Sequence, residues 1–257
     1  MNDNEAVWVE TLDDGQVWRV TLNTPKANIL DMDKVERLAA IFERAAGQRE
    51  LKAILISGEG PHFSFGASVE EHLPGKFESM IPGFHRLFEI MFDAEVATLA
   101  AVRGQCLGGA LELAGFCNRI FAAPSAMLGQ PEIVLGVFAP VASVALADRI
   151  GRSRAEDLCL SGRSIGADEA LRIGLVDAID DDPGAAALAY AREHLVPHSA
   201  SSLRLAQRAL RGAYRERFLE ELKGAERLYL ETLMATADAQ EGLSAFLAKR
   251  DPDWRNA

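Results

Sequence analysis

GQCLGGALELAGFC, Gly104 to Cys117, carries a single charged side chain, Glu112, in the whole interval between Arg103 and Arg119. It follows one apolar run, Val96 to Val102, and precedes another, Arg119 to Ala123. Short apolar runs bounded by turn residues read as strands buried on both faces. Gly108 and Gly109 stand where the first run hands over to a helical pattern, Ala110 to Phe116. The order strand, helix, strand argues for parallel pairing and an α/β layered core, whose ligands bind where strands give way to helices.

The same alternation extends toward the N-terminus. Val7 to Thr11 and Val17 to Leu22 are β-rich runs separated by Asp13, Asp14 and Gly15, which reads as a hairpin closed by an Asp-Gly turn. From about Asp31 to Ala46, the apolar residues Met32, Val35, Leu38, Ala39 and Phe42 fall on one helical face. AILI, Ala53 to Ile56, is a further strand buried on both faces, ended by SGEGP. From about Pro183 onward the chain is rich in Ala, Leu, Glu and Arg and reads as helix, with two amphipathic stretches, about Ser201 to Arg215 and Glu216 to Lys249. The expected division is an α/β core over 1–195 and a C-terminal helical module over 196–257, whose apolar face needs a partner surface on the core or on another subunit.

Composition narrows the function. The 257 residues are 49% hydrophobic and 25% charged, the balance of a globular protein able to bury a full core. A formal charge of −11 opposes nucleic-acid and anionic-membrane binding, both of which need a basic surface. No run approaches the roughly 18 apolar residues of a membrane helix. MNDNEAVWVE lacks the basic-then-apolar pattern of a signal peptide, so the expected compartment is the cytoplasm. Cys106, Cys117 and Cys159 form no CxxC pair and the five histidines show no HExxH spacing, so neither a disulfide framework nor a metal is expected. The thiols read as buried and reduced.

Three segments carry candidate chemistry. Gly108-Gly109 leaves unpaired backbone N–H groups at a helix start, where negative charge is stabilised, and lets another molecule approach the backbone. Glu112 falls in the first turn of that helix; it is either an ordinary dipole stabiliser or an acid held in a dry site. Glu132, in LGQPEIVLG, is again the one charge in an apolar stretch, Ala126 to Pro140, and alone would read as a solvated loop acid. Together the two fit a pair sharing a water, one withdrawing a proton and the other returning one to carbon, with pKa values raised by desolvation. The third segment, GPHFSFGASVEEH, Gly60 to His72, is a strand-to-helix loop whose amides, around Phe65 and Gly66, would supply a second oxyanion donor.

GPHFSFGASVEEH, CLGGALELAGFC and FAAPSAMLGQPEIVLGVF, in that order, resemble the crotonase family, the enoyl-CoA hydratase/isomerase superfamily. TPKANIL near the N-terminus, SGRSIGADEALRIGLVDAI at Ser161 to Ile179 and EGLSAFLAKRDPDW at the end extend the likeness over nearly the whole chain. The resemblance implies a crotonase-like spiral of ββα units followed by a C-terminal helical trimerisation module, in trimers that often pair into hexamers. It implies an acyl-CoA thioester as substrate, with coenzyme A part of that substrate and no further cofactor. By family position, the amides of Phe65 and Gly109 form the oxyanion hole, and Glu112 and Glu132 are the catalytic acids; which of the two is the base and which the proton donor the sequence leaves open. Lys26, Ala27, Gly66, Ala67, Ser68 and Lys249 match the coenzyme A-binding positions, although each lysine would also serve as a plain surface charge.

Two departures bear on the acyl group. FSFGAS stands where FxAGAD is common, and FAPVAS, Phe138 to Ser143, replaces a PGAGG-type segment. FSFGASVEEH together with GQPEIVLGVFAP is most similar to family members that hydrate a cyclic dienoyl thioester. That likeness makes Val137 and Phe138, with the Phe65 ring, candidate walls for a flat six-membered ring; ordinary core packing would place them equally well. A general 2-enoyl-CoA hydratase is the alternative in the same class. A non-catalytic acyl-CoA- or RNA-binding relative is the alternative in another, opposed by the two retained glutamates and the acidic balance.

Overall fold

The computed structural model describes residues 5–24 and 26–256; Pro25 of TPKANIL and the first four residues of MNDNEAVWVE lie outside them. β1 (Val7–Leu12) and β2 (Val17–Leu22) pair antiparallel across a tight turn at Asp13–Gly15. α1 (Met32–Ala46) starts where the sequence places it, because the Asp31 side chain accepts the Lys34 N–H at 3.0 Å and caps the helix. β3 (Ala53–Gly58), α2 (Phe77–Ala94) and β4 (Ala97–Val102) follow. Then come β5 (Gln105–Leu107), α3 (Gly109–Phe116), β6 (Arg119–Ala122) and β7 (Met127–Gly129).

The remaining elements are α4 (Pro140–Ile150), α5 (Arg152–Ser161), β8 (Ser164–Gly166), α6 (Ala167–Arg172) and β9 (Ala178–Ile179). The chain closes with α7 (Pro183–His194), α8 (Ala200–Arg227) and α9 (Ala237–Leu247). One sheet runs β1-β2-β3-β4-β6-β9, parallel from β2 onward, and a second runs β5-β7-β8. The small second sheet has strands of three residues, too short to register as periodicity in the sequence.

β3 shows why AILI is apolar throughout. Ile54 and Ile56 face the main core, packed with α1, α2 and α3, whereas Ala53 and Leu55 face a second cluster that includes Ala187, Leu188 and Ala191 of α7. Between the two tail stretches little breaks a helix, and α8 runs 28 residues through Arg215 to Arg227; the tail departs from its sequence reading further on, within the second stretch. The break comes at Leu228–Ala235, through a π turn and a 3-10 turn, and Thr236 then caps α9 by accepting the Ala239 N–H. Phe218, Leu222, Tyr229, Met234 and Leu243 of this tail are buried in the same core cluster as α2 and α3.

Candidate active site

Gly108 and Gly109 open α3 against the 3-10 turn Pro131–Leu135, which carries Glu132. Gly108 has φ 55° and ψ −128°, and a Cβ there would lie 2.3 Å from Glu132 Oε1, so the carboxylate occupies the space the missing side chain leaves. The buried amide of Gln130, with its nitrogen turned to the acid, donates to both Glu132 oxygens at 3.0 and 3.3 Å. One turn into α3, Glu112 is 5% exposed, and its Oε1 accepts the Ala142 N–H at 2.7 Å. Ala142 lies in the first turn of α4, a helix end that favours negative charge.

The two acids, 20 residues apart in sequence, line the same cavity. Burial raises Glu112 above the ordinary carboxylate range, against the opposing pull of the Ala142 and Val141 amides. Burial raises Glu132 as well, and the negative charge of Glu112 raises it further. The buried Tyr229 hydroxyl, which has no hydrogen-bond partner among the described residues, is raised by its own burial and then by both glutamate charges.

The oxyanion donors differ in part from the sequence reading. The Phe65 N–H is not available: it donates to the Ala27 carbonyl at 2.9 Å. Phe63 and Ser64 pair with Arg103 and Gln105, which lays the loop alongside β5 and brings Gly66 to α3; a Cβ on Gly66, at φ 97°, would lie 2.5 Å from the Leu107 oxygen. The Gly66 N–H bonds to Ser64 Oγ at 3.0 Å and the Ser68 N–H to Leu30 at 3.2 Å, which leaves Ala67 between them with its N–H unpaired among the described residues. Gly109, in the first turn of α3, likewise has no partner for its N–H there, and a Cβ built on it would sit 3.3 Å from the Ala67 nitrogen. The facing amides are therefore those of Ala67 and Gly109.

All four groups open on one largely apolar cavity of about 710 Å³. Ala27, Gly66, Ala67, Ser68, Val137 and Phe138 line it, as does the half-exposed Phe65 ring, which stands edge-on to His62 at 4.9 Å. Phe138 packs edge-on against Tyr229 at 5.4 Å. Lys26 and Lys249 are exposed and lie outside the cavity wall, and neither pairs with an acid among the described residues. Among those residues no three His, Cys, Asp or Glu side chains converge as a metal would require, and no helix is long and apolar enough to cross a membrane. Sequence reasoning missed Gln130, whose adjacency to Pro131-Glu132 was the available signal, and placed Ala67 among the coenzyme A-binding positions and not as an amide donor.

Residues 13–257 match the family model described as enoyl-CoA hydratase/isomerase. The chain belongs to this family. Over 250 residues, 97% of this chain and 96% of its relative, it is 50% identical to a cyclohexa-1,5-dienecarbonyl-CoA hydratase of Thauera aromatica. It is 33% identical over 246 residues to a 2,3-dehydroadipyl-CoA hydratase of Escherichia coli (strain K12), covering 93% and 95% of the two chains. The crystal structure of an enoyl-CoA hydratase/isomerase from Pseudoalteromonas atlantica T6c superposes with a TM-score of 0.87 at 28% identity, over 97% of this chain and all of that one. As an enoyl-CoA hydratase/isomerase family member with mixed α/β layers and C-terminal helices, the chain is a hydratase-class enzyme acting on acyl-CoA thioesters.

Proposed function

We propose that this hydratase adds water to a cyclic dienoyl-CoA thioester, cyclohexa-1,5-diene-1-carbonyl-CoA, giving 6-hydroxycyclohex-1-ene-1-carbonyl-CoA, as in anaerobic breakdown of benzoyl-CoA. The observation that carries the chemistry is the desolvated carboxylate pair beside two unpaired amides on one apolar cavity. The half-identical relative named for the cyclic diene supports the substrate. In this reading the amides of Ala67 and Gly109 bind the thioester oxygen and stabilise the dienolate as it forms. Glu112, whose ionised form the start of α4 favours, takes the proton of the attacking water. Glu132, held above the ordinary carboxylate range by burial and then by the neighbouring charge, donates to carbon at the far end of the second double bond. This is 1,4-addition and leaves a conjugated hydroxy-enoyl ester.

Val137, Phe138 and the Phe65 ring would wall the acyl ring, while Lys26 and Lys249, free of ion pairs among the described residues, would meet coenzyme A phosphates. No cofactor beyond the thioester's own coenzyme A enters the reaction, and the enzyme would work in the cytoplasm. The leucines exposed on α8, Leu205 and Leu210, support the trimer that the family likeness implies; sedimentation should give a trimer or hexamer, and a monomer would refute it.

Initial rates on the cyclic dienoyl ester and on crotonyl-CoA test the substrate. A clear preference for crotonyl-CoA would replace it with a general 2-enoyl-CoA hydratase. Glu112→Gln and Glu132→Gln should each lower kcat by about 10²–10⁴-fold, the usual weight of a positioned acid or base. Normal turnover by either would end its catalytic assignment.

A further inference from the structure

Residues 251–256 belong to no helix or strand and are almost all exposed, yet their backbone is tied down along its length. Glu241 of α9 accepts the Asp253 N–H at 2.8 Å, and Asp238, one turn earlier, accepts the Arg255 and Asn256 N–H groups at 2.7 Å each. Arg250 pairs with the same Glu241 where the segment begins. Hydrogen bonds from an amide to a carboxylate are stronger than neutral ones, so the segment is a strap fastened to α9 at both ends.

Between the two fastenings stands Trp254, whose side chain covers the seam between α9 and the turn that carries Glu132. A Cβ on Gly136, the residue that ends this turn, would lie 3.1 Å from the indole, and one on Gly242 of α9 would lie 2.8 Å from it. The ring therefore occupies the space that two glycines leave open, one on each side of the seam. Trp254 is 40% exposed, so the burial of its own surface is a weak reason for anchoring it so closely. From Gly136 the path to the acid is short, because the next residue, Val137, donates its N–H to the Glu132 carbonyl at 3.2 Å.

We infer that Trp254 is a positioning residue for Glu132. Strapped to α9, the indole keeps the turn seated against that helix and so fixes where the carboxyl group stands in the cavity. This rests on the catalytic role proposed for Glu132.

The test is kcat and KM of Trp254→Ala, alone and combined with Glu132→Gln, on whichever of the cyclic dienoyl ester and crotonyl-CoA the wild-type enzyme hydrates. Misplacing a reacting group by about 1 Å costs up to about a hundredfold, so Trp254→Ala alone should lower kcat about tenfold or more and change KM by less than about threefold. Trp254→Phe keeps a ring over the two glycines and should recover most of the loss. Asp238→Ala frees the end of the strap with the indole intact and should lower kcat in the same way; it carries the comparison if Trp254→Ala does not fold. In the Glu132→Gln background, where the acid is already gone, Trp254→Ala should change the remaining rate by less than about twofold. A general loosening of the fold would instead give the same fold-loss in both backgrounds. That result, or a wild-type kcat in Trp254→Ala, overturns the inference. If Glu132→Gln alone turns over normally, the catalytic reading of Glu132 fails and the inference with it; if Glu132→Gln is slow and Trp254→Ala is not, only the inference fails.

Discussion

At Gly108 the backbone occupies a region closed to residues with a Cβ, and the carbon that alanine would add lies 2.3 Å from Glu132 Oε1. Gly108→Ala should therefore displace the acid as well as strain the turn, lowering kcat by about a hundredfold or more while the chain still folds; turnover alongside a thermal melt checks it. The acid pair also leaves a mark on stability. Both glutamates are raised, so in acid the folded and unfolded chains are protonated alike, and the pair carries no penalty. As pH climbs from the ordinary carboxylate range, the unfolded chain ionises first, and stability falls until the folded pair has ionised too. Glu132→Gln removes much of that fall. Its Tm should match the wild type near pH 4 and exceed it by about 4–8 °C above neutrality, for a relief on the order of 2 kcal/mol in a chain of this size. Equal melting curves at both pH values would show that the pair is not desolvated. Glu112 and Glu132 were legible as lone charges in apolar runs. Phe65 was not, because the carbonyl that takes its N–H belongs to Ala27, 38 residues away, and no local pattern encodes that contact.

Among the elements, those with a full period were readable and those defined by contact were not. α1 announces its start with Asp31 and its face with Val35, Leu38 and Phe42, and β3 its double burial with four apolar residues. The 3-10 turn that carries Glu132 has no such signature; Gly136 ends it at φ 72°, and α9 holds it from outside. There the close approach is at Gly242, where a Cβ would lie 2.2 Å from the Leu135 carbonyl oxygen. Leu135 and Glu132 share that turn, so pushing α9 away moves the acid without touching it. Gly242→Ala should cost about 1–3 kcal/mol of stability, as overpacking does, and, in the catalytic role proposed for Glu132, lower kcat more than it raises KM. A stability loss with unchanged kcat would mean that the turn holds its shape without α9.

Over the whole molecule, the tail read from sequence as a module in need of a partner surface finds part of that surface on its own core. Phe218 of α8 stacks against Phe92, Phe116 and Tyr214 with ring centres 5.4–5.7 Å apart, and it is fully buried. Arg211, two turns earlier on the same face of α8, donates to the Phe116 carbonyl at 2.7 Å and lies 4.9 Å over its ring, so the C-terminal end of α3 is gripped from the tail. α3 is only eight residues long and carries Glu112. An isolated helix of that length does not hold itself together, so α3 is held by what clamps both ends: α4 at the Glu112 carboxylate and α8 at its last turn. Phe218→Ala removes the clamp's packing at a site remote from the cavity. It should cost about 3–5 kcal/mol, lowering Tm by roughly 10 °C, while kcat measured well below the transition stays within about threefold of wild type. If Tm is unchanged, the tail folds independently of the core; if kcat collapses at low temperature, α8 sets the position of Glu112 more directly than packing alone requires.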